Sequence, residues 1–276
     1  MAAAAVLFST GGAAIKSTSL SGIQVAGLRS LVAVVAIVLL LPEARRGWRL
    51  RHVPGAIAYS GTLIAFVLAN KLTTSANAVF LQHAAPLFVL LLAPLLLHER
   101  VRPSDLAFMA AVAFGMALFF VSAERAHATA PDPARGNLFG ALSAVTWALT
   151  LIGLRWIGRT GASAMPPVVL GNAMIALTIV PPSWPSRLSP TDAAVLLWLG
   201  VFQIGLAYVC LTRGIRRLPA LEATTILLLE PALNPVWAWL VHGERPSALS
   251  LAGGAIIIAA TIARVRSKAT EPASAV

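Results

Sequence analysis

The chain has 276 residues, of which 58% are hydrophobic and only 11% are charged, and its mean hydropathy is +0.82. Soluble domains carry about 25% charged and 45–50% apolar residues, so this composition excludes a soluble globular protein and a disordered chain. The formal net charge is +11, and the single cysteine, Cys210, excludes an internal disulfide. The composition predicts that lipid surrounds most of the chain.

Ten apolar stretches predict ten transmembrane helices, because a helix needs about 20 apolar residues to cross a bilayer. In chain order they cover residues 1–15, 17–42, 53–70, 72–97, 106–123, 136–154, 160–186, 193–212, 218–243 and 246–263. The first stretch could instead be a secretory signal peptide, but no basic segment precedes it. We therefore expect a membrane helix there, with Lys16 reaching the interface at its end.

Basic residues are distributed unequally between alternate loops. With the N-terminus inside, the cytoplasmic loops hold 14 of the 21 lysines and arginines, the opposite loops hold six, and Arg29 lies within a span. Basic residues collect on cytoplasmic loops of membrane proteins, so this distribution predicts that both termini are cytoplasmic. It also explains the net charge without a nucleic acid partner.

An internal repeat relates the fourth and ninth predicted spans. At a constant offset of 145, residues 75–100 and 220–245 are identical at six positions. The identical pairs are Ala78/Ala223, Pro86/Pro231, Ala93/Ala238, Leu95/Leu240, Glu99/Glu244 and Arg100/Arg245. We predict two five-helix repeats, residues 1–130 and 131–276, and because five is odd the second repeat enters the membrane inverted. Inverted repeats around a midplane site are a recurring transporter architecture.

Several short motifs accompany this repeat. Pro86 is followed further along its span by LLLHER, and Glu230–Pro231 is followed further along its span by WLVHGERPSALSLAGGAIIIAA. Arg29 lies in Gly-Leu-Arg-Ser and Trp147 lies in ALSAVTWALT. With these motifs, nearly the whole chain resembles the EamA-type transporters of the drug/metabolite transporter superfamily. The second half departs from the pattern, since Asn172 stands where the first half has Arg29.

The resemblance agrees with an all-α membrane protein of ten transmembrane helices in two inverted five-helix repeats. It implies a secondary transporter of the bacterial inner membrane that exports small amphipathic metabolites by alternating access. Amino acids, including aromatic or hydrophobic ones, are the first substrate class that it implies. Drugs, nucleosides and sugars, which relatives in the superfamily carry, are the alternative.

Glu230 is the most informative residue, because a carboxylate midway along a span costs roughly 2.5–3.5 kcal/mol on insertion scales. Such a group faces a cavity, pairs with a partner or is protonated. Asn234 lies one turn later on the same helix face and can hydrogen-bond it. We expect Glu230 to bind a substrate amine or a coupling proton. The alternative is a neutral or paired glutamate between packed helices.

Other polar and aromatic residues lie at similar depth. Gln82 and His83 precede Pro86, and an imidazole gains and loses a proton near pH 6.5. Trp147, Gln203 and Tyr208 would suit an amphipathic solute, since an aromatic ring can stack on it or attract an ammonium group. We predict that Gln82, His83, Trp147, Gln203, Tyr208, Glu230 and Asn234 bind substrate. Ordinary helix packing is the alternative for each of them.

The matched prolines, Pro86 and Pro231, are predicted hinges, because proline divides a helix into parts that can tilt. Arg29 is expected to reach the interface or pair with a carboxylate, with anion attraction as the alternative. Glu244 is expected to be a turn and surface-charge residue, as is Glu99. We expect Trp237 and Trp239 to be interface anchors.

The remaining expectations concern function class. The sequence has no GxxxxGK[ST], HExxH or GxSxG motif, which argues against a primary pump and an enzyme. Neither a cofactor nor a metal is predicted. The expected partners are a small-molecule substrate and membrane lipid, with protons as a candidate coupling ion. A monomer is expected, because ten helices can enclose a pathway within one chain.

Overall fold

A computed structural model describes residues 1–97, 103–121, 126–158, 165–215 and 226–270, and every named element in these ranges is a helix. The α-helices are α1 (Ala2–Ser9), α2 (Gly11–Lys16), α3 (Gly22–Leu40), α4 (Val53–Leu72), α5 (Ser75–Gln82), α6 (Ala85–Leu97), α7 (Pro103–Val121), α8 (Pro133–Gly158), α9 (Met165–Ser183), α10 (Pro190–Leu197), α11 (Ala207–Ile215), α12 (Leu229–His242) and α13 (Ala248–Thr270). A π-helix, Trp198–Leu206, joins α10 to α11. Short 3₁₀ turns cover Pro42–Arg45 and Leu50–His52.

Seven helical stretches of the described residues are long and apolar enough to cross a membrane. They are Gly22–Leu40, Leu50–Leu72, Ser75–Leu96, Pro133–Ile157, Met165–Ser183, Pro190–Leu211 and Ala248–Ser267. The other three predicted spans contain the shorter apolar segments Ala2–Lys16 and Asp105–Val121 and the 14-residue helix α12. Ten crossings, the inverted arrangement, the repeat boundary at residue 130 and the cytoplasmic termini stay predictions. The repeat residues Glu99, Arg100 and Ala223 lie outside the described ranges.

The outer surface of the helices is strongly apolar. Leu39, Leu95 and Leu177 are exposed by 67%, 73% and 76%, and many other large hydrophobic side chains are also exposed. So many exposed large apolar side chains are unusual for a soluble monomer and indicate contact with lipid. The exclusion of a soluble protein from composition is therefore supported by the three-dimensional arrangement.

Two of the predicted spans are interrupted next to the matched prolines. The fourth span breaks between α5 and α6, at His83 and Ala84, and Pro86 is the second residue of α6. In the ninth, Leu228 is in a turn, and Pro231 is the third residue of α12. Proline fits the first turn of a helix because its missing N–H has no partner there. Each proline thus starts a new helical segment, while movement about these breaks stays a prediction.

The helices of the two halves interlock. α4 lies along α8 and α9, and α3 lies along α9 and the π-helix. On another side, α1 packs against α11 and α12, and α7 packs against α13. Each of these contacts joins a helix that precedes residue 130 to one that follows it. The middle of the molecule is consequently lined by side chains from both halves.

A buried polar cluster closes one end of the bundle, where α2, α4 and α12 end and α5 begins. We call Lys16, Thr73, Ser75, Thr129 and Glu244 the Glu244 cluster. Lys16 Nζ lies 2.8 Å from Glu244 Oε1, and the two side chains are 3% and 1% exposed. Lys16 also donates to the Thr73 carbonyl at 2.7 Å and to the Thr129 carbonyl. The backbone N–H of Ser75 donates to Glu244 Oε2 at 2.9 Å.

This cluster corrects two predictions from the sequence. Lys16 does not reach the interface, and Glu244 is not a surface charge. The reason is that each ion is neutralised by the other and by backbone groups at converging helix ends, so neither needs water. Ser247 caps the next helix, α13, because its Oγ accepts a hydrogen bond from the Ser250 N–H at 3.0 Å.

Candidate functional site

A central cavity of about 250 Å³ lies between helices of both halves. Residues of the first half on its wall include Phe8, Arg29, Tyr59, Thr62, Gln82, His83 and Pro86. Residues of the second half include Trp147, Gln203, Tyr208, Leu227 and Glu230. The structure thus brings together six of the seven predicted binding residues, although binding itself stays a prediction. The volume is just below the roughly 300–1,000 Å³ of drug-sized ligand sites and therefore suits a small solute.

His83 lines this cavity, and one of its imidazole nitrogens is engaged by its own helix. It caps the C-terminal end of α5, and its Nδ1 lies 2.8 Å from the Val79 carbonyl oxygen. A carbonyl can only accept, so Nδ1 must carry the proton of this hydrogen bond. In the neutral ring, Nε2 is then an acceptor. The Val79 carbonyl, one turn earlier in the same helix, thus orients the ring of a side chain that lines the cavity.

Glu230 is the carboxylate on the cavity wall. It lies in the first turn of α12, where the positive end of the helix dipole favours a negative charge. Within the described ranges, Glu230 makes no ion pair. Its predicted partner, Asn234, points elsewhere, as shown below. Glu230 is therefore available to a proton or to a cationic group in the cavity.

An aromatic wall faces these polar groups. The Tyr208 ring is 5.5 Å from the Phe8 ring and 6.4 Å from the Tyr59 ring, both in edge-on geometry. The Tyr59 hydroxyl interacts with Tyr208 and Asn172. Trp147 of α8 adds a fourth aromatic side chain. Rings arranged in this way can hold an apolar group by stacking and a cation over a ring face.

Gln203 reaches the cavity from the π-helix. It is only 7% exposed, and its Oε1 has no hydrogen-bond partner among the described residues. Gly11 makes this position possible, because a Cβ there would lie 2.9 Å from Gln203 Nε2. π-helical segments are rare and occur often at functional sites. The amide oxygen of Gln203 is left for a ligand or a water molecule.

Arg29 also lines the cavity, which corrects the expectation that it reaches the interface. The residue is 1% exposed, and its Nη2 donates to the Leu63 carbonyl of α4 at 3.1 Å. Its Nε has no hydrogen-bond partner in the part of the chain that the structure describes. Arg29 also makes no ion pair there, so the predicted carboxylate partner is not found. The contact between α3 and α4 buries it, leaving anion attraction as the open alternative.

Asn234 is placed outside the cavity. It is fully buried, and its Nδ2 donates to the Ser9 carbonyl of α1 at 3.1 Å instead of reaching Glu230. The small residue Gly12 allows this approach, since a Cβ there would lie 2.8 Å from Asn234 Oδ1. Pro231 is likewise buried and does not line the cavity. A binding role for Asn234 is not carried forward.

Trp237 takes part in the same contact between α1 and α12. Its indole N–H donates to Ser9 Oγ at 2.9 Å, so the prediction of an interface anchor is wrong for this residue. The close helix contact that small residues permit explains the difference. Trp239, on another face of α12, is 53% exposed, as an anchor would be.

Tyr59, Phe8 and Thr62 are wall residues that sequence reasoning missed. A tyrosine or threonine in an apolar span carries no charge that would mark it, and phenylalanine is ordinary there. No group of three or more His, Cys, Asp or Glu that could hold a metal occurs within the described ranges. The described part of the wall provides a guanidinium group, a carboxyl group, an imidazole, amides and aromatic rings around a small volume.

Comparison with known proteins bears on this arrangement. The EamA-like transporter family matches residues 1–121 and 134–265. A pseudopaline exporter of Pseudomonas aeruginosa, found in strains UCBPP-PA14 and PAO1, is 27% identical over 264 residues, covering 91% of this chain and 89% of that protein. An uncharacterized transporter of Clostridium kluyveri is 25% identical over 213 residues, covering 75% of this chain and 68% of that protein.

One solved crystal structure shares the fold, with a TM-score of 0.63 at 21% identity, covering 98% of this chain and 96% of that chain. The proteins of known role among these relatives are transporters and not enzymes. Together with the seven apolar helices, the family match over both halves makes this a multi-pass membrane protein. The chain belongs to the EamA-like transporter family.

Proposed function

We propose that the protein is a secondary transporter that exports small amphipathic metabolites across the bacterial inner membrane. Amino acids, including aromatic or hydrophobic ones, are the proposed substrates. The observation that carries this proposal is the central cavity, whose wall combines Glu230, His83 and Gln203 with aromatic rings. An amphipathic solute needs both kinds of surface, a few placed polar groups and a larger apolar one.

Alternating access is supported by the correspondence between the halves. The family matches each half separately, and several contacts come in pairs that exchanging the halves would interconvert. For example, the contact of α4 with α8 corresponds to the contact of the π-helix and α11 with α1. In the same way, the contact of α5 with α8 corresponds to the contact of α12 with α1. Two equivalent halves can open in turn toward opposite sides of the membrane. Pro86 and Pro231, each at the start of a helical segment, are the proposed hinges.

The second candidate function is export of a substrate other than an amino acid. It is favoured by the similarity of this chain to a pseudopaline exporter. The 250 Å³ volume favours a solute of amino-acid size in the present conformation. Drugs, nucleosides and sugars are further alternatives in the superfamily. The export direction that we propose rests on this relative and on the family resemblance.

Flux in proteoliposomes tests the proposal. Purified protein would be reconstituted, and transport of radiolabelled amino acids would be measured with and without an imposed pH gradient. Flux that follows only the amino acid gradient indicates a facilitator. Accumulation against that gradient when protons run the other way indicates antiport, with Glu230 and His83 as the groups to neutralise. Absence of flux for every amino acid, with nucleosides or sugars transported instead, contradicts the amino acid assignment.

A further inference from the structure

We propose that Arg29 and Glu230 are the two poles of a site for zwitterions, in which Arg29 binds a carboxylate and Glu230 binds an ammonium group of the same solute. This inference rests on the proposed transport function and deepens it, because it assigns the charge pattern of the substrate. Of the residues on the described cavity wall, only Glu230 is acidic, and only Arg29 has a guanidinium group to oppose it.

Arg29 has more hydrogen-bond donors than its contacts with the described residues use. A guanidinium group has five N–H donors, and the structure shows one hydrogen bond, from Nη2 to the Leu63 carbonyl. Its Nε is buried and unpartnered among the described residues, and the whole residue is 1% exposed. A buried cation without a counter-ion is costly, and the planar guanidinium fork matches a carboxylate in a bidentate manner. These unused donors of Arg29 therefore favour the binding of an anionic group in the cavity.

Glu230 has the opposite requirement. Its carboxylate lines the same cavity and has no cationic partner within the described ranges. Arg29 belongs to α3 of the first half and Glu230 to α12 of the second half. Since the two do not pair with each other, a solute between them can neutralise both only if it carries both charges.

The rest of the wall fits the remainder of such a solute. Tyr59, Tyr208, Phe8 and Trp147 supply aromatic surface for an apolar side chain. A solute that carries only an amine leaves Arg29 without a partner, and one that carries only a carboxylate leaves Glu230 without one. Selectivity arises from this penalty on the unmatched pole as much as from attraction.

Three matched probes test the inference: phenylalanine, phenethylamine, which lacks the carboxylate, and 3-phenylpropionate, which lacks the amine. Binding of each probe to the purified protein would be measured for the wild type and for Arg29→Gln and Glu230→Gln. We expect the wild type to bind phenylalanine more than about tenfold more tightly than either analogue, since leaving one buried charge unpaired is costly.

Arg29→Gln and Glu230→Gln should then each spare a different one of the two analogues. Arg29→Gln should weaken phenylalanine binding by more than about tenfold while leaving phenethylamine almost unaffected. Glu230→Gln should weaken phenylalanine binding to a similar degree while sparing 3-phenylpropionate. Equal weakening of all three probes by Arg29→Gln would assign Arg29 to structure and overturn the inference. If the glutamine variant does not fold, Arg29→Lys, which keeps the charge but loses the bidentate fork, should weaken binding of phenylalanine and 3-phenylpropionate and spare phenethylamine, and equal weakening of all three probes would again overturn the inference.

The two proposals can fail separately. Wild-type flux of amino acids tests the transport function, whereas the ratio of affinities among the three probes tests the two poles. Flux of phenylalanine with equal affinity for all three probes would overturn only the zwitterion site. No binding and no flux of any amino acid would overturn both the zwitterion site and the assignment of amino acids as substrates. Arg135→Gln, in an exposed ion pair with Asp132 (side chains 77% and 36% exposed), serves as the control for altered charge.

Discussion

Two regions of this protein hold buried charges in opposite ways. In the Glu244 cluster, Lys16 Nζ and Glu244 Oε1 lie 2.8 Å apart, and each side chain also makes a hydrogen bond to a backbone group. In the cavity, Arg29 and Glu230 share one wall without an ion pair to any described residue. The two regions are close, since Ser75 and Gln82 at the two ends of α5 are about 10 Å apart along the helix axis.

The difference separates charges that hold the fold from charges that remain available. A buried pair with good geometry fixes the helix ends that it joins, and removing one partner leaves an uncompensated ion. An ionisable group without a charged partner adds no ion pair to the fold, and we propose that Arg29 and Glu230 are retained for a ligand or a proton. The comparison therefore predicts opposite results when a charge is removed from each region.

The largest loss of stability should come from breaking the cluster. Glu244→Gln leaves Lys16 without its counter-ion, and removal of one partner of a buried pair costs about 3–5 kcal/mol. The amide oxygen can still accept from the Ser75 N–H, but the amide nitrogen then replaces the oxygen opposite Lys16, so the variant removes both the counter-charge and the acceptor of Lys16. Thermal unfolding in detergent would measure it as a lower apparent melting temperature.

Two controls accompany this variant. Lys16→Met together with Glu244→Gln removes both charges and should be more stable than Glu244→Gln alone. Arg135→Gln breaks an exposed pair and should change stability by less than about 1 kcal/mol. Melting temperatures that are equal for Glu244→Gln and Arg135→Gln would show that the buried pair adds no stability.

Removing a charge from the cavity should not lower stability, in contrast to removing a charge from the Glu244 cluster. Glu230→Gln replaces a carboxylate that has no described cationic partner, so the melting temperature should stay the same or rise. Flux of amino acids into proteoliposomes should nevertheless fall more than about tenfold, because the ammonium group loses its counter-charge. Both quantities would be measured on the same preparation.

Glu230→Asp keeps the charge and should retain more flux than Glu230→Gln. If Glu230→Gln instead transports at the wild-type rate with the wild-type pH dependence, Glu230 has no part in binding or coupling. A lower melting temperature would assign Glu230 to packing between helices, which is the alternative that the sequence left open.

The sequence predicted the cavity better than it predicted the cluster. Glu230 and His83 are conspicuous because polar residues are costly within apolar spans, and both line the cavity. The same signal misled for Asn234, which Gly12 and Ser9 bury against α1. One sequence cannot show which neighbouring helix approaches a polar side chain, because that approach depends on small residues far away in the chain.

The pairing of Lys16 with Glu244 illustrates a second limit. Each residue ends an apolar stretch, where a reach to the interface is the ordinary outcome. Only the packing of α2, α5 and α12 brings the two charges together. The π-helix Trp198–Leu206 is similarly hidden, because its residues are as apolar as those of an α-helical span. Tyr59 has no sequence signal that distinguishes a wall residue from core.

The smallest expected effect concerns the helix contact that lies between the two regions. A Cβ at Gly12 would lie 2.8 Å from Asn234 Oδ1 and 2.9 Å from Asn70 Oδ1, and all three residues are buried. Gly12→Ala should therefore cost about 1–3 kcal/mol by overpacking. Gly55→Ala is the matched control, because its nearest neighbour, Pro167 Cβ, is 3.6 Å away and alanine favours a helix by about 0.5–1 kcal/mol. Melting temperatures should move in opposite directions, and a rise for both variants would mean that α2 can shift away from α12.

Because Asn234 does not line the cavity, Gly12→Ala should lower flux less than Glu230→Gln does. That ordering distinguishes the wall of the cavity from the packing behind it.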